Sequence, residues 1–263
     1  MGYEEFLSFS REGRVGVVKL ARPAKLNTIS APFYEAMIEL EETQIVGDRE
    51  LRSIAMLAEG RHFSAGIDLN YAKTMIGGRG RSLYGIYHWR RAYQFWYDCN
   101  LPVVVGIQGA CMGTAMELVA ACDIRIAAEN AKFSLREVDV GISTDLGGTT
   151  RLTKLIGPGM TKLLAMTCED IDAQEALRIG LVQKVVPLDQ LEAETMRYAT
   201  ILAEKPPIAV QMCKKCINVA TDSSMSVGFT AEEIQGIYTA STKDKAEASA
   251  AMLEKRKGNY NCE

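Results

Sequence analysis

Four carboxylates of this chain stand beside small residues in a way that suits proton transfer. In "REVDVGISTDLGGTTRL" (136–152), Glu137, Asp139 and Asp145 fall within nine positions, just before a glycine pair. A fourth, Glu117, lies in "IQGACMGTAMELVAACD" (107–123), where Gly109 and Gly113 mark a turn and Thr114 and Ala115 open a helix. Read alone, Glu117 is a carboxylate in a first helical turn, which complements the helix dipole. Beside exposed amide donors it is also what enolate chemistry needs: aimed N–H groups stabilise a developing oxyanion while a carboxylate moves protons. A second turn of this kind is "GRHFSAGIDL" (60–69), where Ala65 and Gly66 follow an apolar strand and let a ligand approach the backbone. His62 and His88 are read as packing or surface residues rather than bases.

Asp139 is expected to be structural, because the strand period of two puts it on the face of Glu137 only one layer further on. Asp145 precedes Gly147 and Gly148, so a turn or helix N-cap competes with a chemical role there. "RSLYGIYHWRRAYQFWYDC" (81–99) gathers seven aromatic rings, read either as core or as the wall of a pocket.

The elements that must position these residues alternate in type. "RVGVVKLA" (14–21), "LRSIAMLAE" (51–59), "LPVVVGIQG" (101–109) and "CDIRIAAE" (122–129) read as strands. Amphipathic stretches lie between them, such as "SAPFYEAMIELEETQIV" with Ser30 as N-cap and Pro32 early in the helix. The alternation predicts an α/β fold with mainly parallel sheet over residues 1–187. Strand signals then stop. Residues 188–263 read as a helical region ending in a charged tail, whose apolar faces need another surface to cover them.

Composition narrows the function. The 263 residues are 48% hydrophobic and 24% charged, an ordinary globular balance, and the net charge of −3 offers no basic field for nucleic acid or an anionic membrane. No apolar run approaches the roughly 20 residues of a membrane helix, and a cytoplasmic setting is expected. The seven cysteines read as small buried groups in a reducing compartment. Cys213 and Cys216 form a CxxC, but in a helical pattern with no second ligand pair nearby.

Taken in order, "ARPAKLNTIS", "HFSAGIDL", "GACMGTAMELVAACDIRIA", "AKFSLREVDVGISTDLGGTTRL" and "EALRIGLVQKVVP" resemble the crotonase (enoyl-CoA hydratase/isomerase) superfamily. The resemblance implies a ββα spiral core followed by a C-terminal helical region used in homotrimer contacts, often in a dimer of trimers. It implies an acyl-CoA thioester as ligand, with no metal and no cofactor beyond the CoA of the substrate, and a place in fatty acid metabolism. It places the two oxyanion N–H donors on Ala65 and Thr114, the Thr114 side chain having to point away from the thioester. Gly66, Asp68 and Gly113 accompany them, and the acid positions fall on Glu117 and Glu137. Arg22 and Lys25 match the region that holds the nucleotide, with Lys255 or Lys257 reaching it from a neighbouring subunit. In relatives the segment after the "AGID" loop helps wall the acyl pocket, which assigns Tyr84 and Tyr87 to a bulky, cyclic or polyunsaturated acyl group.

Within the superfamily, "EVDVG" followed by "DLG" most resembles 3,5-dienoyl-CoA to 2,4-dienoyl-CoA isomerases. There an acid eight residues after the glutamate (145 − 137 = 8) shares a proton shuttle with it. Those isomerases usually carry aspartate where this chain has Glu117, the residue typical of hydratases. Isomerisation through Glu117, Glu137 and Asp145 is therefore the expected activity. Hydration of an enoyl-CoA or cyclic dienoyl-CoA by Glu117 and Glu137 is the alternative, and a non-catalytic RNA- or protein-binding homologue is a third.

Overall fold

A computed structural model describes residues 2–74 and 83–263, with the side chains of Thr74, Leu83 and Tyr84 outside that description. Its strands are β1 (Leu7–Glu12), β2 (Val15–Leu20), β3 (Ser53–Ala58), β4 (Val103–Ile107), β5 (Ala110–Met112), β6 (Ile124–Ala128), β7 (Lys132–Ser134), β8 (Ile171–Asp172) and β9 (Lys184–Val186). Its helices are α1 (Ala31–Leu40), α2 (Leu69–Thr74), α3 (Leu83–Asp98), α4 (Thr114–Val119), α5 (Gly148–Thr167) and α6 (Ala173–Arg178). The C-terminal set is α7 (Leu191–Ala203), α8 (Pro207–Asp222), α9 (Met225–Ala240) and α10 (Lys243–Leu253).

The larger sheet runs β1-β2-β3-β4-β6-β9, with an antiparallel β1–β2 hairpin and parallel pairs beyond it. Its apolar strands are buried on both faces, which is why they read as continuous Val/Ile/Ala runs rather than alternating ones. Val17, Ala55, Leu57, Val104 and Ile126 turn towards Leu191, Ala199 and Ala203 of α7. Their neighbours Val18, Ile54, Met56, Val103 and Val105 turn towards Met37 and Leu40 of α1 and towards Tyr93 and Trp96 of α3. So α7, although C-terminal to the last strand, forms one side of the core.

The smaller sheet, β5-β7-β8, carries the site. After a strand in the large sheet the chain crosses to the small one, as in β4 to β5 and β6 to β7, and this repeat is the ββα spiral. Isolated bridges extend the second layer: Ile29 pairs with Ile67, and Ser64 with Cys111. Segments 64–67, 110–114 and 134–137 thereby lie side by side, tied by Ser64 N–H to Ala110 O (2.9 Å), Met112 N–H to Ser64 O (3.1 Å) and Gly113 N–H to Ser134 O (2.7 Å).

Some local expectations are corrected. Ser30 occupies the N-cap of α1 but its side chain makes no capping hydrogen bond. The charged tail forms helix α10, capped by Thr242 Oγ1 accepting from Lys245 N–H. Residues 138–140 are a 3-10 turn rather than strand, and Cys213 is exposed rather than buried. Among the described residues no helix is long and apolar enough to cross a membrane.

Candidate active site

A cavity of about 220 Å³ opens where these three segments meet α4 and the 140–146 loop. Its lining includes Tyr34, Ala65, Ile67, Trp89, Thr114, Glu117, Glu137 and Asp145, so three of the four acids singled out by spacing converge on one apolar space. The fourth, Asp139, is exposed and paired with Arg136 (3.1 Å), a structural acid as expected.

Glu117 is held by the backbone. It is 1% exposed, and its Oε2 accepts the N–H of Leu146 (2.9 Å) and of Gly148 (2.7 Å). Burial pushes its carboxyl up to about 8, with the neighbouring charge of Glu137 adding to the rise and Asp145 contributing less. The two N–H donors act in the opposite sense. A carboxyl set near neutral pH can both give and take a proton.

The glycine pair has a function that the sequence did not reveal. Gly147 has φ +112°, and a Cβ on Gly148 would stand 3.0 Å from both Glu117 Cγ and Thr144 Cβ. These glycines let the backbone reach Glu117. Gly148 gives its N–H to Glu117, the N-cap position of α5 falls on Gly147 rather than on Asp145, and Thr144 Oγ1 accepts the N–H of Thr149 (3.2 Å). Arg151 secures the loop, donating to Leu146 O (2.8 Å) and Gln94 Oε1 (2.6 Å).

Glu137 follows β7 and sits against the Gly113 turn, where a Cβ would stand 3.0 Å from Glu137 Oε1. Gly113 has φ 55° and ψ −124°, so glycine is required there for conformation as well as space. Gly66, at φ +84°, passes so close to Met112 that an added Cβ would lie 2.6 Å from its carbonyl oxygen.

The amide donors differ from expectation at one position. Ala65 donates its N–H to Leu26 O (3.0 Å), so it is not available to a ligand. Gly66 N–H goes to Ser64 Oγ (3.1 Å) and Asp68 N–H to Ile29 O (2.8 Å). Among the described residues, the N–H groups of Ile67 and Thr114 line the cavity without a hydrogen-bond partner. The correction from Ala65 to Ile67 follows from the parallel bridge. Ile29 uses Gly66 O and Asp68 N–H on one side of the chain, which turns the intervening N–H to the other.

Other assignments shift as well. Asp68 Oδ1 accepts from Asn70 and Tyr71 N–H (2.9 and 3.2 Å) at the start of α2 and does not line the cavity. Tyr87 is 67% exposed and borders a separate cleft of about 1080 Å³, which Asp145 also touches. The side chain of Tyr84 lies outside the described residues. The aromatic wall is instead built from Tyr34, Tyr71 and Trp89: Tyr34 stacks on Trp89 (5.5 Å, 20°), and Tyr71 meets Trp89 edge-on (6.3 Å).

Arg22 and Lys25 sit on the turn next to Leu26, whose carbonyl holds Ala65. Lys25 is exposed, and the Arg22 guanidinium lies over the Phe6 ring (4.5 Å). Lys257 pairs with Glu204 of its own chain (2.5 Å). His62 accepts Ala110 N–H at Nδ1 (3.0 Å), and His88 faces Glu35 (3.0 Å), so neither reaches the cavity. Asn27 was not anticipated. At φ 50° it holds the turn through Nδ2 to Glu59 O and His62 O (3.0 Å each), and only its place in a "KLNT" turn hinted at this.

Residues 10–262 match the enoyl-CoA hydratase/isomerase family. The chain belongs to that family. It is 35% identical to the short-chain-enoyl-CoA hydratase of Clostridium acetobutylicum over 252 residues, 94% of each chain. It is 31% identical to the mitochondrial Delta(3,5)-Delta(2,4)-dienoyl-CoA isomerase of Dictyostelium discoideum, covering 94% of this chain and 88% of the relative. The crystal structure of an enoyl-CoA hydratase from Bacillus anthracis superposes with a TM-score of 0.92 at 32% identity, over 98% of this chain and 100% of that one. The hydratase/isomerase fold is thus shared over nearly the whole length, with relatives of both activities.

Proposed function

We propose that the protein is an acyl-CoA double-bond isomerase that converts a 3,5-dienoyl-CoA to a 2,4-dienoyl-CoA. The observation that carries this reading is Asp145: it lines the same cavity as Glu117 and Glu137, and the N-cap position of the helix it precedes falls on Gly147. In this reading the N–H groups of Ile67 and Thr114 receive the thioester oxygen, and the enolate that forms is stabilised by a few kcal/mol in the apolar cavity. Glu137 and Asp145 exchange protons at the two ends of the conjugated system, while Glu117 holds a further proton between them. The Tyr34, Tyr71 and Trp89 wall suits a planar unsaturated chain. The chemistry needs no metal or cofactor beyond the CoA of the substrate, which Arg22 and Lys25 would meet through its phosphates.

Hydration of a 2-enoyl-CoA is the second reading, favoured by Glu117 itself. Two carboxyls whose charges act on one another can divide the work, one activating water and the other protonating the α-carbon. Offering each thioester and following ultraviolet absorbance separates the two. A gain of conjugation from the dienoyl substrate supports isomerisation, and faster loss of conjugation from the enoyl substrate would replace it with hydration.

Association between copies belongs to this proposal too. Phe229, Ile234 and Ile237 of α9 and Met252 and Leu253 of α10 are 55–85% exposed in the single chain, which supports a trimer or dimer of trimers built through the helical end.

A further inference from the structure

Thr114 brings a branched side chain to the N-terminal turn of α4, and its hydroxyl has a defined place. Thr114 is 6% exposed, and its Oγ1 lies 3.1 Å from the Tyr34 hydroxyl and 3.1 Å from the Tyr93 hydroxyl. The two tyrosines come from different helices, α1 and α3, and are 3% and 0% exposed. Burial holds both phenols well above their ordinary range, so they keep their protons and the three hydroxyls satisfy one another. A buried hydroxyl deprived of its partner is costly, so the cluster resists rearrangement.

Anchoring Oγ1 anchors the backbone. Threonine is stiff about χ1, so fixing its hydroxyl fixes the direction of its own N–H. That restraint matters here because the preceding residue is Gly113, which has no side chain to hold the turn. Tyr34 has a second contact: it lines the cavity and stacks on Trp89 at 5.5 Å. One ring therefore touches both the acyl wall and the residue that carries the donor.

We propose that Tyr93 and Tyr34 are positioning residues that hold the Thr114 N–H on the thioester oxygen, with Tyr34 passing the fit of the acyl group on to that donor. The inference rests on the enolate reading of the cavity but concerns groups which that reading does not use. Tyr93 does not line the cavity and acts only through Thr114.

The test compares Tyr93→Phe, Thr114→Val, Thr114→Ser and the double variant Tyr93→Phe/Thr114→Val. Two readouts apply: kcat and KM on the better thioester, and the ultraviolet spectrum of bound acetoacetyl-CoA, whose enolate form reports oxyanion stabilisation without turnover. Tyr93→Phe and Thr114→Val are expected to lower kcat roughly 10- to 100-fold with little change in KM. Both should weaken the enolate band, while Thr114→Ser preserves kcat and spectrum, and the double variant falls no further than the worse single one. Unchanged kcat and spectrum in Tyr93→Phe and Thr114→Val, or losses that multiply in the double variant, would overturn the positioning role. An enolate band in the unaltered protein without turnover of either thioester overturns the proposed activity instead, and the spectra of the variants then decide the positioning role.

Discussion

The Oε2 of Glu117 lies 2.7 Å from the N–H of Gly148, a residue 31 positions away whose lack of a side chain makes the approach possible. The loop that carries Asp145 is thereby fastened to the carboxylate at the centre of the site. Gly148→Ala places a Cβ against Glu117 Cγ and Thr144 Cβ, both 3.0 Å away. The expected cost is about 1–3 kcal/mol in denaturant unfolding, with a larger proportional loss of kcat than of stability. Unaltered kcat would show that the loop tolerates the displacement.

Glu117 also sets a pH dependence. Its folded-state value of about 8 exceeds the ordinary 4.5, so between these values the folded protein keeps a proton that the unfolded chain releases. The carboxyl's contribution to stability is therefore full below about pH 4.5 and declines as pH rises through 8. Glu117→Gln is expected to flatten this decline in melting temperature against pH, and to remove a limb near pH 8 from the kcat/KM profile.

Asp145 is the residue at which the proposed isomerisation is tested against hydration. Asp145→Asn is expected to lower turnover of a 3,5-dienoyl-CoA by about 100-fold or more, the usual scale of general acid–base assistance. Any hydration of a 2-enoyl-CoA should change little, and a melting temperature that holds separates the loss of turnover from a loss of structure. Equal losses on both substrates would make Asp145 a general support of the site.

Trp89 is a half-buried ring of the cavity wall, stacked on Tyr34 and met by Tyr71. Trp89→Leu is expected to shift preference from polyunsaturated or ring-bearing acyl groups towards short saturated-tail ones, read as a changed ratio of kcat/KM values. The same substitution at Tyr87, on the other cleft, should leave that ratio unchanged.

Asn27 keeps the turn before Ile67 in place through two carbonyls and the Arg22 N–H (2.8 Å). Asn27→Ala is expected to cost about 1–3 kcal/mol by stranding buried polar groups, and to reduce kcat through the Ile67 donor. A stability loss with kcat intact would separate the turn from the chemistry.

The amino-acid sequence determined the α/β class, the strands, the helical end and three acids that line one cavity, because burial and periodicity are written locally. Glu117, Glu137 and Asp145 were legible since few residue types can move protons, and their order with the small-residue turns matches one family. Tertiary structure alone decided which amide faces the cavity. Ile67 rather than Ala65 is free because Ile29, nearly forty residues earlier, occupies the alternate groups of that segment. It also decided that Trp89 rather than Tyr87 walls the cavity that holds the three acids and that Asp68 caps α2. Residue types announce which groups are able to react; which of them meet depends on pairings between segments far apart in the chain, and those exist only once the two sheets have packed.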